Sequence, residues 1–114
     1  MRDKSSISLF TSAYNLARKA RLLELPWFRR AFVSSYFLYK QHYEDPFMEL
    51  TRRMPGIFHN GDILDIGANI GYTAWVFAGA LRPGARVYAF EPDDSSFALL
   101  QEIIQRRKLS ASVE

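Results

Sequence analysis

Apolar residues recur at helical spacing through the first part of the chain. Between Ser5 and Leu25, leucine and alanine repeat every three or four positions with basic residues between them, which predicts a helix, and Pro26 either ends it or begins the next one. Residues 27–43 predict a second helix, and its aromatic side chains follow one face: Phe28, Phe32, Tyr36, Tyr39 and Tyr43. A stripe at this spacing is typical of a packing face, although aromatic residues mixed with arginine also occur at nucleic-acid and membrane interfaces.

The second part of the chain alternates short apolar runs with helical segments. A short helix is predicted from Pro46 to Pro55–Gly56, and a turn at residues 59–62 leads into a strand over Ile63–Ile66. The later predicted elements are a helix over Tyr72–Leu81, a strand over Val87–Phe90, a helix capped by Asp94 or Ser95 and ending near Arg106, and a third strand that opens at Ala111. This order predicts an α/β fold whose strands are adjacent, parallel and joined by a right-handed crossover.

A turn that contains glycine separates the first predicted strand from the helix after it. A dinucleotide-binding turn carries glycines in the order G-x-G-x-x-G, and the second one lets the backbone approach a pyrophosphate. Asn69 and Tyr72 occupy the second and third of those positions, where their side chains would crowd a diphosphate. Gly67 and Gly71 still allow a tight turn and close approach by a smaller, uncharged group.

Two carboxylates stand at or near the ends of the two predicted strands. Asp65 lies just before the turn, where it would repel a phosphate and attract an ammonium group. Glu91 follows the second strand, where it can accept hydrogen bonds from both hydroxyls of a ribose. A ligand with a ribose, no phosphate and a cationic amino-acid end meets these demands, and S-adenosyl-L-methionine is such a ligand.

These residues also resemble a known family. The N-terminal half of FkbM-type S-adenosylmethionine-dependent methyltransferases is similar to residues 65–72 (DIGANIGY) and residues 88–92 (YAFEP). The D-x-G-A-N-x-G core is much more specific than a lone G-x-G-x-x-G, and the acidic motif F-E-P-D follows at the expected distance. The resemblance extends from Pro46 to the last residue and does not cover the first forty or so.

The resemblance implies a Rossmann-like methyltransferase fold that begins within residues 46–114 and is preceded by a helical N-terminal region over residues 1–45. It implies S-adenosyl-L-methionine as the cofactor, bound by Asp65, Gly67, Ala68, Asn69, Gly71, Tyr72 and Glu91. Family members usually methylate hydroxyl groups, commonly on sugars or natural products, so the expected partner is a small molecule with a hydroxyl acceptor. The sequence nominates no catalytic base. It predicts no metal site, because cysteine is absent and the two histidines stand apart.

The last predicted element opens close to the end of the 114 residues. Two parallel strands and the beginning of a third would present an unpaired edge and an uncovered face. The expectation is therefore an incomplete domain, the N-terminal fragment of a larger enzyme, which is inactive by itself.

Two other functions stay open. The first is a Rossmann oxidoreductase or epimerase that uses NAD, which Asn69 and Tyr72 oppose. The second is a non-enzymatic module whose first half binds a membrane surface or nucleic acid. Ten bases face five acids from Met1 to Gly61, whereas five bases face seven acids from Asp62 onward.

Solvated helix faces have the same basic composition, so a nucleic-acid partner is not expected and any membrane contact would be peripheral. No segment has the length and composition of a signal peptide or a membrane span. The sequence therefore predicts a cytoplasmic protein.

Overall fold

The structure is a computed structural model that describes residues 4–43 and 46–114. The chain divides into two compact units between residues 44 and 45. The sequence places the same boundary one residue later. Within the described residues the architecture is a mixed α/β arrangement of six α-helices and a two-stranded parallel sheet.

The first unit consists of α1 (Lys4–Lys19), a 3₁₀ turn (Leu22–Glu24) and α2 (Pro26–Tyr43). Helix α1 ends earlier than the predicted Leu25, because Arg21 adopts a left-handed backbone conformation with φ of 54°. The amide of Arg29 then donates to the carbonyl of Leu25, and the Arg29 guanidinium donates to the carbonyl of Leu23 at 3.4 Å. These bonds hold the turn at the start of α2.

Aromatic side chains pack α1 and α2 together. The rings of Tyr14 and Phe32 are 5.8 Å apart, and Phe32 stacks on Phe28 at 6.5 Å. The most deeply buried side chains of α2 are Val33 and Phe37, which each lie one position beyond a member of the predicted stripe. The stripe therefore borders this small core, in keeping with a packing face, and the side chain of Tyr43 lies outside the described residues.

The second unit begins with α3 (Pro46–Arg53) and α4 (Pro55–Phe58). The prediction that Pro55 and Gly56 end a helix is right for α3, and the same proline also begins α4, since a proline fits the first helical position. Phe58 is buried against Phe77, with ring centroids 5.7 Å apart. These contacts attach α4 to the helix that follows the first strand.

Strand β1 (Ile63–Ile66) pairs with strand β2 (Val87–Phe90) in parallel, and Ile63 lies opposite Val87. The prediction of two adjacent parallel strands is confirmed, whereas the right-handed crossover stays a prediction. Helix α5 (Tyr72–Ala78) connects the strands and is shorter than the predicted Tyr72–Leu81. Gly79 keeps helical backbone angles, but the amide of Ala80 donates to the carbonyl of Phe77, three residues back, in a tighter turn that ends the helix.

Helix α6 (Asp94–Arg106) follows β2. Its cap is Asp93, one or two residues earlier than predicted, and the Asp93 carboxylate accepts a hydrogen bond from the Ser96 amide at 2.9 Å. After α6, Val113 forms a parallel bridge with Val87, so the predicted third strand appears as a single bridge. Ala74, Val87 and Val113 form the centre of the core of this unit.

The two faces of the sheet differ. Val87 on one face is fully buried beneath α5 and the last residues, whereas Ile66 on the other face is 81% exposed and Phe90 is 54% exposed. Within the described residues, no helix has both the length and the apolar composition that a membrane span requires.

Candidate functional site

The turn between β1 and α5 has an unusual backbone. Gly67, Asn69 and Gly71 have φ values of 82°, 51° and 97°, all in the left-handed region. Asparagine tolerates this conformation better than most residues, and glycine adopts it without steric cost. The glycines and the asparagine of the segment D-I-G-A-N-I-G therefore permit this backbone conformation.

Hydrogen bonds within the protein occupy most amides of this turn. The amides of Gly67 and Ala68 both donate to the carbonyl of Phe90, at 2.9 and 3.0 Å. The Gly71 amide donates to the carbonyl of Ala68 at 2.9 Å. The backbone amide of Asn69, not its side-chain amide, donates to the carboxylate of Glu91 at 2.8 Å. A phosphate-binding turn needs amides that point at the ligand, and these four point at protein acceptors.

Glu91 joins the turn to the start of α6. Its Oε2 accepts from Asn69, and its Oε1 accepts from the amide of Asp93 at 2.9 Å. The two amides come from segments that are far apart in sequence, so the carboxylate ties the ends of β1 and β2 together. A carboxylate has about four lone-pair positions, and about two of them are left for a ligand such as a ribose.

Asp65 is a buried acid beneath the same turn. It is 7% exposed, and its Oδ2 accepts a hydrogen bond from the hydroxyl of Thr73 at 2.6 Å. Burial raises the pKa of Asp65 above its usual value, and the hydrogen bond from Thr73 opposes that rise. Because burial disfavours the charged form of a carboxylate, a nearby cation would stabilise that form.

The two glycines of the turn have different surroundings. A Cβ atom added to Gly67 would meet no protein atom within 4 Å, so this position borders open space. A Cβ atom added to Gly71 would lie 2.7 Å from Cδ1 of Leu100, which is itself buried. Gly67 therefore leaves room for a ligand, whereas Gly71 allows α6 to pack closely against the turn.

Ala68 and Tyr72 are both buried, so the contribution of their side chains to the site is packing. Tyr72 is the first residue of α5, and its ring lies 5.7 Å from that of Trp75. The structure thus brings the seven residues predicted for the cofactor site to one edge of the sheet. The exposed ones are Gly67 and Asn69, and Glu91 is half-buried.

Sequence reasoning missed two residues of this region. Thr73 supplies the hydrogen bond to Asp65, although nothing in the pattern of α5 distinguishes it from a surface threonine. Asp93 caps α6 and donates its amide to Glu91. The signal for Asp93 was present, because aspartate directly before the helical residues 94–96 is a strong N-cap.

The site presents acceptor groups. Asp65 and Glu91 contribute carboxyl oxygens, and the backbone amides of the turn are engaged with the protein. Groups that donate hydrogen bonds, or cations, suit such a site, and anions do not. Among the described residues no cluster of three or more histidine, aspartate or glutamate side chains could hold a metal ion.

No protein-family model matches the chain, and the comparison with curated proteins found no match either. The resemblance to FkbM-type methyltransferases accordingly stays a prediction, which rests on the motifs and is weighed below against the geometry of the turn.

Proposed function

We propose that this chain belongs to an enzyme that uses S-adenosyl-L-methionine to methylate a hydroxyl group, and that residues 46–114 form the first part of a Rossmann-like methyltransferase domain. The expected acceptor is a sugar or a natural-product-like small molecule. The observation that carries the proposal is the chemical character of the turn, which offers carboxylates to a ligand and keeps its amides for the protein.

The engaged amides argue against a dinucleotide. NAD requires backbone N–H groups directed at its diphosphate, and a carboxylate close to that diphosphate would repel it. Here the amide of Asn69 is bound to Glu91, and the carboxylate of Asp65 lies beneath the turn. A diphosphate would have to break the first interaction and tolerate the second.

The same carboxylates favour S-adenosyl-L-methionine. Its ribose hydroxyls can donate to the remaining lone pairs of Glu91, and its ammonium group can approach Asp65 directly or through water. The open space beside Gly67 supplies the room for close approach of the ligand to the backbone. The proposal thereby assigns the ribose and the ammonium group of the cofactor to residues at one edge of the sheet.

Catalysis in such an enzyme consists mainly of positioning the acceptor hydroxyl against the methyl group of the sulfonium, assisted by a general base. We assign that role to no residue of the turn, because both of its carboxylates are assigned to the cofactor, and Glu91 also accepts from two amides. The proposal therefore assigns cofactor binding to this edge and leaves the base to another part of the enzyme.

The test is a nuclear magnetic resonance titration of the 114-residue chain with S-adenosylhomocysteine and, separately, with NAD. We expect S-adenosylhomocysteine to shift the amide resonances of residues 65–72 and 91–93, and NAD to shift none of them. Shifts at the turn with NAD but not with S-adenosylhomocysteine would overturn the proposal, as would the absence of shifts with both. Asn69→Gly restores the glycine of a dinucleotide turn, and we expect it to create no NAD binding, because its amide still binds Glu91.

A matched pair of glycine variants tests the open space. Gly67 and Gly84 have φ values of 82° and 85°, and neither would meet a protein atom within 4 Å of an added Cβ. Gly67→Val and Gly84→Val therefore carry the same backbone strain and should lose similar stability. We expect Gly67→Val alone to lose S-adenosylhomocysteine binding while its circular dichroism stays that of a folded chain. Equal binding by the two variants would remove Gly67 from the site.

A further inference from the structure

The turn between α1 and α2, residues 20–27, exposes apolar side chains at the end of a helix pair. Trp27 is 68% exposed, and Leu25 and Leu22 are 42% and 37% exposed. The nearby aromatic residues Phe28 and Phe32 stack on each other and are half-buried in the small core of this unit. The turn therefore displays three large apolar side chains that its own core does not cover.

Basic residues flank this turn along the chain. Arg18, Lys19, Arg21, Arg29 and Arg30 lie between residues 18 and 30, and Glu24 is the one acid in that segment, for a net charge of +4. Arg21 and Glu24 form an ion pair at 3.9 Å, in which both side chains are largely exposed to water. Such an exposed pair contributes little and leaves the segment strongly basic.

We propose that the α1–α2 turn, residues 20–27, binds the surface of a bilayer that contains anionic lipids. Leu22, Leu25 and Trp27 would enter the boundary between headgroups and acyl chains, while the surrounding cations attract the lipid headgroups. The transfer of tryptophan and leucine side chains from water to this boundary is favourable. Each basic residue near an anionic leaflet adds a favourable electrostatic contribution. This inference is independent of the proposed methyltransferase activity, because it uses residues of the first unit only.

The side chains of the turn favour a bilayer over nucleic acid. Proteins that bind single strands stack successive bases on several aromatic rings. In this turn two of the three exposed apolar side chains are leucines, and Trp27 already contacts Phe28 edge to face at 5.9 Å. Leucine cannot stack on a base but transfers readily into hydrocarbon. Anionic lipid offers hydrocarbon to the leucines and negative charge to the basic residues, so it suits this turn better than nucleic acid does.

The experiment is sedimentation of the full chain with vesicles of phosphatidylcholine alone and of phosphatidylcholine with phosphatidylserine. We expect the affinity for the anionic vesicles to be at least about tenfold higher and to weaken as salt is added. Binding should also move the tryptophan emission to shorter wavelength, and Trp27→Phe should remove that shift while Trp75 is still present. Equal affinity for both vesicles would overturn the proposal.

Matched leucine variants distinguish binding through the turn from non-specific binding through other exposed leucines. Leu22→Ser with Leu25→Ser should reduce vesicle binding by about tenfold or more. Leu9→Ser with Leu38→Ser alters two leucines that are at least as exposed but lie outside the turn, and it should leave binding unchanged. An equal loss in both double variants would contradict a specific role of the turn, provided that circular dichroism shows both chains folded.

An oligonucleotide arm completes the test. A single-stranded oligonucleotide at the same salt concentration should bind more weakly than the anionic vesicles, and any such binding should be unaffected by the leucine variants. Oligonucleotide binding that is tighter than vesicle binding and is lost with Leu22→Ser and Leu25→Ser would replace the bilayer with nucleic acid and overturn the proposal.

Discussion

Two turns of this protein each contain a residue other than glycine in the left-handed backbone conformation, and the two residues make different contacts. In the α1–α2 turn Arg21 has a φ of 54°, and in the β1–α5 turn Asn69 has a φ of 51°. Arg21 pairs with Glu24 three residues away, and both side chains face water. The amide of Asn69 donates to Glu91, which lies 22 residues away on the neighbouring strand end.

The difference separates a local turn from a tertiary one. The first turn depends on short-range hydrogen bonds and leaves apolar and cationic groups exposed to the outside. The second depends on the pairing of β1 with β2, because that pairing brings Glu91 and the carbonyl of Phe90 to the amides of the turn. Changes in the second turn should therefore affect the stability of the whole unit, whereas changes in the first should stay local.

The largest effect is expected from Gly71→Ala. The new methyl group would lie 2.7 Å from Cδ1 of Leu100, a fully buried side chain with little room to move, at a φ of 97°. We expect a loss of about 2–4 kcal/mol in the free energy of unfolding, from overpacking together with backbone strain. Urea unfolding followed by the emission of Trp75, in a Trp27→Phe background, measures it.

Gly84→Ala is the control for that measurement. It carries the backbone strain at a φ of 85° but meets no protein atom within 4 Å, so we expect a loss of about 1–2 kcal/mol. In addition, Leu100→Ala should make Gly71→Ala less costly, since the clash is removed. Additive losses in the double variant would show that Leu100 does not cause the cost.

Glu91→Ala comes next. It removes the acceptor of two amides, so we expect the free energy of unfolding to fall by about 1 kcal/mol and the binding of S-adenosylmethionine to weaken by about 1–3 kcal/mol. Glu91→Gln keeps one acceptor oxygen and should lose less of both. Chemical unfolding and calorimetric titration provide the two values.

Glu102→Ala is the matched control, because Glu102 is an acid of α6 that pairs with Arg106 at 3.1 Å and lies outside the turn. It should change stability by less than about 1 kcal/mol and leave cofactor binding unchanged. Unchanged affinity in Glu91→Ala would remove Glu91 from the cofactor site.

Asp65→Asn should increase the stability of the protein, whereas the preceding variants should decrease it. Burial raises the pKa of Asp65 in the folded protein, so folding opposes its charged form, and stability increases as the pH falls from neutrality through the raised pKa towards the usual value of 3.8. Asparagine has no charge to desolvate and still accepts from Thr73. We expect the variant to gain up to about 1 kcal/mol at neutral pH and no advantage at acidic pH.

The measurement is the difference in thermal stability between the wild type and the variant, followed as a function of pH. The stabilised variant should bind S-adenosylhomocysteine more weakly, because the attraction for the ammonium group is lost. A variant that is both less stable at neutral pH and unchanged in binding would make Asp65 a structural residue alone.

The smallest effects concern the non-glycine left-handed residue of each of these two turns. Arg21→Gly should stabilise the first unit by up to about 1 kcal/mol, because arginine is strained in this conformation. Asn69→Gly should change stability by less than about 0.5 kcal/mol, since asparagine tolerates the conformation and glycine adds entropy to the unfolded chain. Hydrogen exchange resolves the two turns separately. A larger gain in stability from Asn69→Gly than from Arg21→Gly would contradict this expected order.

Local chemistry allowed much of the fold to be predicted from the sequence. Pro26 and Pro46 each begin a helix, because proline suits the first helical position and interrupts the preceding turn. The short helix that begins at Pro55 was not predicted, because Pro55 and Gly56 were interpreted only as the end of α3. The strands at 63–66 and 87–90 follow from short apolar runs bounded by turn residues, and their parallel pairing follows from the helix between them. Helix ends were predicted less well, as in α5, because several residues there tolerate both conformations.

The sequence by itself determined the identity of the turn and the positions of its carboxylates, since glycine, asparagine and the acids act through their own chemistry. Only the tertiary structure decided what these groups contact. The donation of Thr73 to Asp65, the bond from Asn69 to Glu91 and the approach of Leu100 to Gly71 all join residues that a local pattern cannot relate. Distances of this kind arise when strands pair and helices pack, because burial and hydrogen bonding act between elements that are remote along the chain.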